Sequence, residues 1–457
     1  MRKHILTLIA ILLTINCIAQ EWHNTGSEKA TAPKTELISS SEKQIIIQFK
    51  LDGFYTTDVP TPQGVQNIVS VPKMISRLEA GCPDLPHFPI PVIIGDKAEM
   101  KVAVSNCEYT DFENIEIAPS KGNLSRQVNP EDVPYTYGEA YQQNAFFPEK
   151  SAILDAPYIS RDFRGQNILV TPFAYNPITK TLRVFTKMTI VMEKVSDNGE
   201  NQKIERKSNS IKSDAEIQHY YQRRFINFGK TGEKYTFIED RGKMLVICPE
   251  QYQEAMQPFV DWKNISGRPT EMVSVTETGG NNAENIKSYI RNKYQNDNLE
   301  FVLLVGDYND ITPSPISTGY TDSWFGQLEG NDHYIEVFVG RFSVESVADV
   351  ENHVNKVIYY ERDMPAGLDW LDKGVGIGST DGQGMGHHGE LDWQHIDFIR
   401  DTLMHYTYTE ISQRYDRYNN PTATQLDQDF NAGAGICNYC NHGSETSWFV
   451  CSYSNSR

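Results

Sequence analysis

Met244-Leu245-Val246-Ile247-Cys248 is an apolar run with no polar break. It is too short for a buried helix and has the length of a strand covered on both faces. Met256, Phe259, Val260 and Ile265 follow near helical spacing. A second such strand occupies residues 300–305, after a helix marked by Ile286, Tyr289, Ile290 and Tyr294. Ser346 with Asp349 makes a capping-box signature, and Val347, Val350, Val354 and Val357 follow on one helical face. Residues 374–378 read as a strand, and Ile396, Ile399 and Leu403 mark another helix. The last helix starts near Pro421 and stops at Gly433, and residues 435–441 form a final strand. From Tyr235 onward this alternation predicts an α/β fold with a doubly wound, mostly parallel sheet. Such sheets place active sites at the carboxyl ends of their strands.

The first half has a different period. Residues 44–49 and 182–185 are β-rich, and Asn176-Pro177-Ile178-Thr179-Lys180 separates two strand-like runs as a hairpin does. Helical patterning is scarce there, so residues 20–195 are expected to form an all-β domain, a sandwich or barrel. Residues 196–213 are polar and poor in large apolar side chains, which reads as a linker. No internal repeat is evident.

The chain has 457 residues, enough for two or three cores, and its 39% hydrophobic and 11% aromatic content is that of a globular protein. A net charge of −18 excludes a general nucleic-acid binder and disfavours an anionic membrane surface, while a cationic peptide is attracted. Arg2 and Lys3 precede an apolar run over residues 5–15, and Cys17-Ile18-Ala19 supplies a cleavage point before Gln20. This is the order of a secretory signal over residues 1–19, with a lipoprotein reading through Cys17 as the second choice. An exported chain without a membrane span is expected. In an oxidising compartment Cys82 and Cys107 are free to pair, whereas Cys248 reads as a buried small hydrophobe.

The chemistry gathers at the C-terminus. The final strand runs into Asn441-His442-Gly443-Ser444-Glu445-Thr446, so His442 falls in a strand-end crevice. A histidine there can take a proton from a thiol, and the unobstructed Gly443 N–H can donate to an oxyanion. Asp381 occupies a second strand end before a glycine-dense loop, where a carboxylate can orient an imidazole. The commoner role of such an Asp is to start a turn. Asp392 opens the next helix, where its charge suits the helix dipole.

Four blocks resemble the gingipain family of cysteine peptidases. They are Gly330-Asn331-Asp332-His333-Tyr334, the Glu336-Val337-Phe338-Val339-Gly340-Arg341-Phe342 that follows, Glu390-Leu391-Asp392-Trp393-Gln394-His395, and residues 442–448. The resemblance runs from Tyr235 to the end, and more loosely the first half is similar to the family's pro-domain. It implies a caspase-like fold, a Cys–His pair and hydrolysis after Arg or Lys. It implies that His442 is the catalytic histidine, that the Gly443 amide lines the oxyanion hole, and that Asp392 forms the base of the S1 pocket. Asp381 stands where the family has Glu, and two extra residues fall near residues 415–420. A structural Ca²⁺ is implied, with Asp307, Asp332 and Glu336 as carboxylate ligands and the carbonyls of Glu329 and Tyr334. Activation is implied between Lys234 and Tyr235, before which the pro-domain would act as an intramolecular inhibitor linked through residues 196–234.

The family's nucleophilic cysteine follows its histidine by a few dozen residues, and this sequence reaches only Arg457. The expectation is a fragment without its nucleophile, and without peptidase activity as written. Cys451, the one later thiol, lies in the loop leaving the strand of His442. Two other readings stand beside it. Cys437-Asn438-Tyr439-Cys440 is a CxxC pair for thiol redox chemistry, or for zinc with His442, His387 and His388. The other is a non-catalytic exported adhesin or pseudo-enzyme.

Overall fold

The computed structural model describes residues 20–125, 128–204, 210–213, 215–229, 236–317, 319–382, 390–417, 420–444 and 446–456. The signal segment and the Lys234–Tyr235 activation point lie outside these residues. Two compact units are present. One draws on Met1–Ser120, Tyr135–Asp240 and Gly326–Val337, the other on Lys121–Pro134, Arg241–Phe325 and Phe338–Arg457.

The first unit is built from antiparallel sheets, as the period-two pattern predicts. In one, the long strand Thr181–Ser196 pairs with Gln44–Lys50, Phe173–Asn176 and Glu99–Glu113. In another, Phe163–Val170 pairs with Pro86–Ile94, Tyr158–Ser160 and Ala152–Leu154. Burial alternates along Gln44–Lys50, so Ile45, Ile47 and Phe49 enter the core while Gln44, Ile46 and Gln48 remain partly exposed. The apolar core joins residues from both sheets, among them Phe49, Ile90, Ile168, Phe173 and Ile190. The expected hairpin at residues 176–181 is there, with Asn176 opposite Thr181.

The second unit holds the α/β elements. Thr270–Ser274, Lys243–Cys248, Leu299–Val305 and Phe338–Phe342 form a four-stranded sheet in that order, all parallel. Val246 and Cys248 pack with Met256, Phe259 and Val260 of helix Gln253–Ile265 and with Val350 and Val354 of helix Val347–Ile358. Leu245 and Ile247 alternate onto the other face and are equally buried. The unbroken apolar run is therefore explained by cover on both sides. Ser346 caps its helix as expected, its Oγ accepting from Asp349 N–H. Ile265 departs from the pattern reading: it ends its helix 80% exposed and packs into no core.

Glu410–Tyr415, Lys373–Gly378 and Ile436–Cys440 form a three-stranded parallel sheet with Lys373–Gly378 in the centre. Helix Asp392–Tyr406 lies directly on this strand. A Cβ at Gly376 would come within 2.6 Å of Ile396 Cγ2, and one at Gly378 within 2.6 Å of Trp393 Cα. The glycine alternation of the strand is what lets the helix settle that closely. Among the described residues no helix is long and apolar enough to cross a membrane.

Candidate active site

Because the three strands run parallel in register, with Gly378 opposite both Tyr415 and Cys440, their carboxyl ends share one edge. Residues 379–381, 416–417 and 441–443 therefore leave the sheet on the same rim. Helix Asp392–Tyr406 begins there too. Asp392 N–H donates to Asp381 O at 3.0 Å, and Trp393 N–H donates to Ser379 O at 3.0 Å. Ser379 Oγ donates to Asp392 Oδ2 at 3.0 Å and accepts from Asp381 N–H at 3.0 Å. Asp392 is 4% exposed at the first turn of its helix, where the dipole favours its charge. The Arg417 guanidinium lies 4.0 Å from the centroid of the Trp393 ring.

Asn441 Nδ2 donates to Asp381 Oδ2 at 3.1 Å. Among the described residues no hydrogen bond joins Asp381 to His442, so the expected carboxylate–imidazole contact is replaced by one to the neighbouring amide. The shorter Asp arm and the intervening Asn441 account for this. His442 is exposed, and its carbonyl accepts from Phe449 N–H at 3.1 Å and from the Tyr439 hydroxyl. Gly443 bridges to Trp448, and a Cβ there would meet nothing closer than 3.5 Å. Nothing among the described residues accepts its N–H. The rim is acidic: burial, with the Asp381 charge beside it, pushes the Asp416 carboxyl above its ordinary range.

Neither Cys451 nor Cys437 is activated. Cys451 is 8% exposed, packs with Val375, Ile377, Leu426 and Val450, and burial pushes its thiol up to about 11. Burial also raises Cys437. Nucleophilic cysteines need a lowered pKa, because the thiolate is the attacking species. Cys437 and Cys440 lie three positions apart on a strand, which turns them to opposite faces. His387 and His388 lie outside the described residues. Cys82 and Cys107 do not pair, and each is a free thiol.

Asp307 belongs to the α/β unit, whereas Glu329, Asp332, Tyr334 and Glu336 belong to the loop Gly326–Val337 of the β-rich unit. Among the described residues no group of three or more His, Cys, Asp or Glu is placed to hold a metal ion. Both Asp332 oxygens accept N–H donors, Oδ1 from Tyr334 N–H at 2.9 Å and Oδ2 from Ile159 N–H at 2.8 Å. Glu336 does suit a hard cation. It is 1% exposed, its Oε2 accepts from Leu328 N–H at 2.7 Å and Glu329 N–H at 2.9 Å, and its Oε1 has no hydrogen-bond partner among the described residues. Burial pushes its carboxyl up to about 7.

Sequence reasoning missed Ser379, Asn441 and Arg417: the strand-end rule applied to every polar residue would have found the first two, whose strands it located, whereas the strand Glu410–Tyr415 that precedes Arg417 was not read from the sequence.

The profile of peptidase family C25 matches residues 238–456, and that of the C25 propeptide matches residues 25–234. Gingipain R1 of Porphyromonas gingivalis is 36% identical over 454 residues, 98% of this chain and 45% of that protein. Gingipain R2 of P. gingivalis strain W83 is 35% identical over 455 residues, 98% of this chain and 61% of that protein. The chain thus spans about half the length of the curated relatives it matches. The crystal structure of the Arg-specific cysteine proteinase gingipain R aligns at 36% identity and a TM-score of 0.45, over 49% of this chain and 52% of that one.

Proposed function

Because the chain belongs to peptidase family C25, the gingipain family, and carries that family's propeptide, we propose that it is the precursor of an exported cysteine endopeptidase cleaving after basic residues. The observation that carries this reading is Asp392. A carboxylate 4% exposed, held by Ser379 Oγ at an acidic strand-end rim, favours a cationic side chain that can pair with it. Arg fits best, since its planar fork can meet both carboxylate oxygens.

In this reading His442 takes the proton of the attacking thiol and returns it to the leaving amine. The open Gly443 N–H donates to the developing oxyanion. Asp381 acts through Asn441, fixing the loop that carries His442. The nucleophile is not assigned to Cys451, which is buried and held as a thiol. The first half acts as the inhibitor of the second, a role supported by the inclusion of Lys121–Pro134 in the α/β unit. Export is supported by the basic and apolar order of residues 2–19. By resemblance, the loop Gly326–Val337, with Asp332, Glu336 and the carbonyls of Glu329 and Tyr334, would hold a structural calcium ion in the mature form, which would supply positive charge to these carboxylates.

Titration with benzamidine, a mimic of the arginine side chain, tests the central assignment. One-to-one binding weakened by about 2–5 kcal/mol in Asp392→Asn is expected. Equal binding to the parent chain and to Asp392→Asn would overturn it.

A further inference from the structure

The strands beneath the acidic rim give it an order. Lys373–Gly378 lies in the middle, with Glu410–Tyr415 on one side and Ile436–Cys440 on the other. His442 and Gly443 leave the strand on one flank, and Asp416 and Arg417 leave the strand on the opposite flank. Ser379, to which the Asp392 carboxylate is bonded, ends the strand between them. Neighbouring strands stand about 4.8 Å apart, so Arg417 and His442 follow strands separated by about 10 Å, with the Ser379–Asp392 pair between.

Charge is uneven along this line. Asp381, Asp392 and Asp416 are carboxylates, and among the described residues 379–381, 390–395, 416–417 and 441–444 Arg417 is the one arginine or lysine. Its place is well determined. Asp416 N–H donates to Gly378 O at 3.2 Å, which carries the pairing of the sheet past Tyr415. The exposed Arg417 then sets its guanidinium 4.0 Å from the centroid of the Trp393 ring, which lies 6.2 Å from the ring of Tyr415. Trp393 is itself anchored through its N–H on Ser379 O and its Cα against Gly378. Arg414, three residues earlier, is instead paired with Asp429 at 2.7 Å within the sheet. A guanidinium that stacks through its face directs its N–H donors sideways, in a fork that matches a carboxylate. Holding it on a ring also lowers the ordering cost of meeting a ligand.

We propose that Arg417, stacked on Trp393, is a specificity residue that selects substrates with an acidic side chain just before the basic one. The role rests on the reading of Asp392 as the base of the basic pocket. In that reading the scissile bond lies beside His442 and Gly443, and the leaving half of the peptide departs from their flank. The opposite flank is left to residues preceding the basic one. An acidic side chain there would be repelled by a rim of carboxylates alone, and Arg417 turns that repulsion into attraction. The rim thus reads two charges in sequence, a cation at Asp392 and an anion at Arg417.

Calorimetric titration of the full chain with acetyl-Asp-Arg-amide and acetyl-Ala-Arg-amide tests the role. The aspartyl peptide is expected to bind about threefold to fivefold more tightly, the strength of an exposed ion pair, with the preference shrinking as salt is added. Arg417→Gln is expected to erase or reverse that preference. Arg417→Lys, which keeps the charge and loses the planar fork, is expected to retain part of it. Acetyl-Arg-Asp-amide, with its acid on the leaving side, is expected to gain nothing over acetyl-Arg-Ala-amide. Equal binding of the Asp-Arg and Ala-Arg peptides by the parent, both weakened by Asp392→Asn, would overturn the role of Arg417 and leave the basic pocket standing. A preference for Asp-Arg that survives in Arg417→Gln would overturn it as well. Binding of both peptides indifferent to Asp392→Asn would overturn the pocket itself.

Discussion

Ser379 Oγ donates to Asp392 Oδ2 across 3.0 Å, joining the end of the central strand to the first turn of the helix laid over it. Ser379 is 1% exposed and Asp392 4%. A charge buried to this degree needs its hydrogen bonds, so the pair fixes where the carboxylate points.

Ser379→Ala removes one donor from the buried carboxylate. A loss of about 1–3 kcal/mol in benzamidine affinity is expected, since a hydrogen bond to a charged group is worth that much. Calorimetry at constant pH measures it.

Gly376→Ala places a methyl 2.6 Å from Ile396 Cγ2 and pushes the helix off the strand. Overpacking of this kind costs about 1–3 kcal/mol, read as a lower urea midpoint. Benzamidine binding weakens with it, because Asp392 rides on the displaced helix.

Thiol labelling sorts the cysteines. Iodoacetamide followed by peptide mapping is expected to modify the exposed Cys107 and Cys437 in the native protein and to reach Cys248 and Cys451 only in denaturant. Burial holds the Cys248 thiol up at about 12 and that of Cys451 at about 11. Preferential labelling of Cys451 would contradict its placement as an inert core residue.

The β-rich unit carries an acid-sensitive pair. Asp52 is 3% exposed, with Lys34 Nζ at 2.6 Å and Lys50 Nζ at 2.8 Å, and the two ammonium groups hold its carboxyl below the ordinary value of 3.8. A depressed folded value means that the stabilisation is complete above about pH 4 and is lost as the pH falls through the folded value. Asp52→Asn is expected to cost about 1–2 kcal/mol at pH 7, the exposed lysines limiting the gain, and little below pH 3. Urea unfolding at both pH values decides it.

Periodicity is written locally, and for that reason the sequence alone determined a great deal. Met244 to Cys248 declared a doubly covered strand, Ser346 and Asp349 a helix start, and residues 44–49 a half-buried strand. Asp381 and His442 follow strands whose apolar pattern marks their ends. Which polar groups meet was a different matter. Asn441 takes Asp381 from 60 residues away, and Lys203 reaches Glu329 across 126. Such pairings leave no local trace, because a polar or charged group takes a partner without specifying where along the chain it comes from. The Asp381–His442 contact that the resemblance implied gives way to one with Asn441, and Cys82 and Cys107, which were free to pair, stay thiols. Side-chain pattern dictated the elements, and only the tertiary structure could choose the partners.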